Sequence, residues 1–276
     1  MVSQREYLQA LKDIYGLAYL DVLEEWDKVS GKKAREISEH LAERVPVLVD
    51  NRGAQAAALA ADHYDDARDL SPHVKRDYTA TVTEPTRQGK IDALTNWANK
   101  PIIKSAIINE VIGFSNLAAG LQKLLSEQAN DTILDNVRAD PEARGWMRVT
   151  SPGACDFCIV LAGRGGVYTE ESVRFASHTD CACGAVPSWD PNAEQVDVFQ
   201  YDLSKPRAKT DQSAMRNYIK ENQLEIVSHS HKRRPKQFVD RQKEQASRQL
   251  EQVKGLDYGS ERNELTSQMD KILAGV

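Results

Sequence analysis

Residues 7–26, YLQALKDIYGLAYLDVLEEW, decide the fold. The apolar side chains Leu8, Leu11, Ile14, Tyr15, Ala18, Val22 and Trp26 recur at steps of three and four, a spacing that lines one face of an α-helix and commits that face to a core. Ser30-Gly31 breaks this helix. Ala34, Ile37, Leu41, Val45 and Leu48 repeat the pattern in a second one, which the Asn51-Arg52-Gly53 punctuation is expected to end. A third helix follows in the alanine-rich AQAAALAADHYDDARDL, whose small side chains suit close packing, until Ser71-Pro72 stops it.

Working outward, β-branched and aromatic residues between His73 and Thr83 suggest a short extended piece. Glu84-Pro85 then opens further helices that run to about Asn136, with Ile102, Ile103, Ala106, Ile107 and Val111 as their clearest apolar face. From Ala143 to about Tyr201, glycines and prolines replace helical periodicity with turns and short strands. Beyond Lys205 polar helical patterning returns, and residues 237–254 offer few apolar positions. The reading is a predominantly helical α+β chain in three parts: a helical N-terminal region over 1–142, a small loop-rich α/β core over 143–204, and a polar helical tail over 205–276.

With 276 residues, 41% hydrophobic and 28% charged, the chain can build a real core. No stretch approaches the roughly 20 consecutive apolar residues of a membrane span, and MVSQREYLQALKD interleaves charges where a signal peptide would be apolar. The expectation is a protein made in a host cytoplasm, without contact to membrane. Residues 205–276 carry 15 Lys+Arg against 10 Asp+Glu, while residues 1–204 carry 21 against 31. An acidic body thus bears a mildly basic tail, able to contact nucleic acid non-specifically or simply to be solvated.

All four cysteines lie between positions 155 and 183. Cys155 and Cys158 form Cys-x-x-Cys in ACDFC, and His178, Cys181 and Cys183 form His-x-x-Cys-x-Cys in HTDCAC. One tight turn can present two thiolates to a metal ion, and the second group can complete a tetrahedral zinc site. Five candidates compete for four positions: Cys155, Cys158, His178 and Cys181 are the first choice, with Cys183 as alternate, and an all-cysteine site is the second. Disulfides and reduced thiols compete with zinc, although a reducing cytoplasm disfavours disulfides. Such a zinc is expected to be structural, because four protein ligands leave no open position for an activated water. A loop-rich segment of this size also needs a staple.

Asp156 and Asp180, beside the candidate ligands, read as turn formers, and AGRGG at 162–166 reads as a plain turn because no P-loop Lys-Ser/Thr follows it. His229, His231 and Lys232-Arg233-Arg234 form a basic patch without aromatic interleaving. No His-Glu-x-x-His, Gly-x-Ser-x-Gly or paired-carboxylate arrangement occurs in the sequence. The expectation is therefore a protein that is not an enzyme.

The stretch ARGWMRVTSPGACDFCIVLAGRGGVYTEESVRFASHTDCACGAVPSWD resembles the cysteine-containing core of Mu F-like minor head proteins of phages, in their actinobacteriophage form. The matching elements are Cys155 and Cys158, the turn Leu161-Ala162-Gly163, the strand-like Val167-Tyr168, then His178, Cys181 and Cys183 ahead of Pro187. The resemblance implies a minor capsid protein of a tailed bacteriophage, located in the virion head or at the portal vertex. It would act in head morphogenesis with portal protein and major capsid or scaffold protein, and its basic tail could touch packaged DNA. A capsid maturation protease or other phage-head enzyme is the alternative, and a zinc-stapled DNA-binding protein the third reading.

Overall fold

The computed structural model describes residues 4–103, 109–150, 158, 161–163, 167–169, 175 and 183–195. Its first helix, α1 (Gln4–Asp27), buries the stripe read from sequence, with Tyr7, Val22 and Trp26 wholly shielded. The helix closes where expected: the amides of Val29 and Ser30 both donate to the Trp26 carbonyl, and Gly31 takes φ +76°, a left-handed conformation that costs glycine little. The chain reverses there. Three pairings show α1 and α2 lying antiparallel: Glu25 with His40 and Arg44, Asp21 with Arg52, and Tyr7 with His63.

The second and third expected helices are one. Helix α2 (Ala34–Asp69) runs unbroken through Asn51-Arg52-Gly53, roughly 54 Å at 1.5 Å per residue. The reason lies across the interface: a Cβ on Gly53 would come within 2.4 Å of the Gln128 amide oxygen. Gly53 thus permits close approach of two helices and does not cap one. The alanine face Ala56, Ala57, Ala60 and Ala61 is buried as anticipated, and the helix ends before Ser71-Pro72.

Helix α3 (Gln88–Ile103) buries Ile91, Leu94, Ala98 and Ile102. Ile103, assigned to the same apolar face from sequence, is instead 57% exposed; Ala106 and Ile107 lie outside the described residues. Helix α4 (Glu110–Ala139) starts at Asn109, whose side chain accepts from the Ile112 amide, satisfying an otherwise orphaned donor. Of its 30 residues 22 are buried, so α4 is the central helix on which the other three pack. Gly113 and Gly120 sit where α3 crosses closest, each with α3 side chains where a Cβ would stand.

Between α2 and α3 the chain crosses α4 without forming a strand among the described residues. Side chains of α4 take the place of a partner strand: Asn136 Oδ1 accepts from the Thr81 amide at 2.8 Å while its Nδ2 donates to the Thr81 carbonyl at 2.7 Å. Thr132 Oγ1 accepts from the Thr83 amide, and Thr86 Oγ1 donates to Gln128. These bonds explain why a helix so deeply buried carries Gln128, Thr132 and Asn136, since pairing offsets the cost of burying a polar group.

The remaining regular structure is an antiparallel pair, β1 (Gly145–Val149) and β2 (Gly184–Ser188), in the register Gly145 with Ser188 through Val149 with Gly184. The fold is predominantly helical α+β.

Candidate functional site

The two-stranded unit is fastened to the helices by buried polar contacts. Asn130 of α4 accepts from the Ala185 amide at 2.6 Å, giving β2 a hydrogen bond on the edge away from β1. At the other end Asp140, just past α4, gathers four donors: Tyr64 Oη at 3.1 Å, Arg68 Nε at 2.8 Å, Trp189 Nε1 at 2.9 Å and the Glu142 amide at 3.0 Å. Burial alone would push the Asp140 carboxyl up. The hydrogen bonds from Arg68 and Trp189 outweigh it and hold the group below its ordinary value. Glu142 extends the junction, meeting Arg68 Nη2 at 3.1 Å and capping the amides of Lys75 and Arg76.

On the outer side of β1, Trp146 exchanges backbone hydrogen bonds with Tyr168 and stacks on its ring at 4.6 Å, and the Phe175 ring lies 5.4 Å from that of Trp146. Gly145 takes φ +147°, and a Cβ there would lie 2.5 Å from the Tyr168 carbonyl oxygen. Tyr168 Oη donates to the Leu161 carbonyl at 2.6 Å, tying the strand-like pair Val167-Tyr168 to the turn that follows Cys158. Of the resembled elements, Val167-Tyr168 thus sits on β1, and Leu161 of Leu161-Ala162-Gly163 is joined to it through the Tyr168 hydroxyl.

Of the five candidate ligands, Cys158 and Cys183 are described, and both are buried. Arg148 Nη1 lies 3.7 Å from Cys158 Sγ, and the guanidinium covers the Phe175 ring at 3.7 Å. Arg148 pairs in register with Ala185 and shares its face; continuing the strand alternation back two residues puts Cys183 on that side as well. Cys183 thus immediately precedes β2 at the Val149–Gly184 end of the ribbon, the end at which Cys158 meets Arg148. Cys155, His178 and Cys181 lie outside the described residues, as do Asp156, Asp180 and the basic patch at His229–Arg234. A zinc–thiolate centre is net negative, so a buried guanidinium beside one donor suits the set. Sequence reading missed Arg148 and the Asp140–Arg68 junction. The available signals were an arginine alternating with Trp146 in a strand and another inside an alanine-rich helix.

The helical body, the two strands and the cysteine-bearing turn coincide with a family of phage proteins. The chain belongs to that family, described as VG15 protein, whose model matches residues 1–204. The match covers the helices and the Cys/His core and stops where the basic tail begins. Neither a curated protein nor a solved structure matches the chain. No helix among the described residues is long and apolar enough to cross a membrane.

Proposed function

We propose that this phage protein is a minor capsid protein of the Mu F-like kind, acting in head assembly at or near the portal and not as an enzyme. The observation that carries the reading is the span of the phage-family match, residues 1–204, which takes in both the helical body and the Cys/His segment whose sequence resembles Mu F-like proteins. A central helix with 22 of 30 residues buried and polar side chains spent on holding neighbouring segments suits a scaffold that presents surfaces. In this reading zinc is a structural cofactor held by Cys155, Cys158, His178 and Cys181, with Cys183 as alternate, and supplies folding energy to the 143–204 unit. The partners are portal protein and major capsid or scaffold protein; the tail from Lys205 docks on them or touches DNA without specificity.

The test is co-expression with portal, scaffold and major capsid proteins, followed by purification of procapsids. The full chain is expected to co-purify, and a chain truncated after Lys205 to incorporate less efficiently. Failure to associate with any of the three would overturn the reading. Cleavage of scaffold or capsid protein by the purified chain would replace it with the maturation-protease alternative.

A further inference from the structure

A histidine sealed in the core with nothing to accept or donate to is the feature that the scaffold role leaves unused. His63 of α2 is 2% exposed, and neither ring nitrogen has a hydrogen-bond partner. Its ring lies flat on that of Tyr7 from the first turns of α1, centroids 4.1 Å apart and planes 6° apart. Tyr7 is itself fully buried with an unpartnered hydroxyl. The same two turns of α1 cover the start of β2: a Cβ on Gly184 would stand 2.9 Å from Leu8 Cδ2 and 3.5 Å from Tyr7 Cε1. Three parts of the fold, α1, α2 and β2, thus meet at one aromatic stack that contains a titratable ring.

We propose that the Tyr7–His63 stack is an acid-sensitive latch, which keeps the N-terminal turns of α1 seated over β2 while His63 is neutral and releases them when it takes a proton. An imidazolium in this place would have both N–H groups buried without acceptors, a cost met most directly by admitting water between α1 and α2. The release should be local. Tyr7 lies in the first turns of α1, whereas the other end of the helix is held by Trp26 and the Glu25 cluster. Tyr7 of α1 lies on the ring, Gly184 of β2 stands behind Tyr7, Tyr15 of α1 is the titratable group acting on Tyr7, and the charge acting on the imidazole is Asp66 of α2 itself. Asp66 favours the proton, but burial outweighs it and pushes His63 down from 6.5 to about 4.

The sign follows from that depression. A histidine with a lower pKa folded than unfolded adds stability above the unfolded value near 6.5, and this stability drains away as the pH falls toward 4. Over the full fall the closed form loses a factor on the order of 300 in its equilibrium, from a difference of about 2.5 between the two values.

The test is hydrogen exchange of the full chain between pH 7 and pH 4, corrected for intrinsic rates, with α1 residues 4–14 compared against α4 residues 117–134. The wild type should lose protection in residues 4–14 by at least tenfold between pH 6.5 and 4.5, with α4 unchanged. His63→Phe, which keeps the ring stack, should hold residues 4–14 closed over that range, and Tyr7→Phe should still open. Should His63→Phe fold poorly, an NMR titration of the wild-type imidazole decides the matter. Titration well below 6 with coincident loss of α1 protection supports the latch, while titration near 6.5 overturns it. Opening of His63→Phe at the wild-type pH would overturn it too.

Discussion

The helical body and the two-stranded unit solve the same problem by different means. The body buries periodic apolar faces: Tyr7, Leu11, Val22 and Trp26 from α1, Ile37, Leu41 and Val45 from α2, and Phe114, Leu117 and Leu121 from α4. Removing any one of these leaves many others in place. The strand unit has five residues in each strand and depends on singular anchors, namely Asn130 to β2, Asp140 to Trp189, and Arg148 to Cys158. Stability is thus distributed in one region and concentrated in the other. Mutations in the strand unit should be few in kind and large in effect.

The largest effect is expected from Asp140→Ala. Four donors lose their acceptor at once, and Arg68, with its side chain 5% exposed, keeps only Glu142 and the Arg76 carbonyl. Stripping the partner from a buried charge costs about 3–5 kcal/mol, so chemical denaturation should show the chain unfolding at much lower denaturant. The same carboxyl has an acid signature. Because its folded value is depressed, its contribution is present above the unfolded value of 3.8 and is lost as the pH falls through the lower folded one. Asp140→Asn should accordingly flatten the acid limb of the stability curve below about pH 4.

Next in size stands Cys158→Ser, which removes a proposed zinc ligand from a fully buried position. Limited proteolysis should cut the 143–204 region first while the helices persist, and equal resistance of both regions would erase the contrast between them. Gly145→Ala should cost about 1–3 kcal/mol, since alanine resists the positive φ and its Cβ meets the Tyr168 carbonyl. Thermal melts would register it. The smallest effect belongs to Lys90→Ala on the body. Its pair with Glu127 at 2.8 Å leaves the lysine 49% exposed, so the loss should stay under about 1 kcal/mol.

The same contrast governs what could be read from the sequence. Apolar periodicity located α1 and the buried alanine face of α2 because burial of a helix face repeats along the chain. It failed at Asn51-Arg52-Gly53, where a glycine that looks like a helix end in one dimension is a slot for Gln128 in three. It failed again at Ile103, which points to solvent despite its apolar neighbours. The polar side chains buried along α4 could not be read as buried from the sequence, because their partners at Thr81, Thr83 and Ala185 are remote in sequence. Cysteine spacing singled out Cys158 and Cys183, which the fold brings to one end of the ribbon. Arg148 could be recognised only once the fold placed it beside Cys158.

Residence in the phage head is the property on which the proposed function turns. Quantitative mass spectrometry of gradient-purified phage heads, with the portal protein as internal standard, measures it directly. Peptides from residues 1–204 are expected in stoichiometry with the portal vertex and far below the major capsid protein. Their absence from both procapsids and mature heads would contradict it.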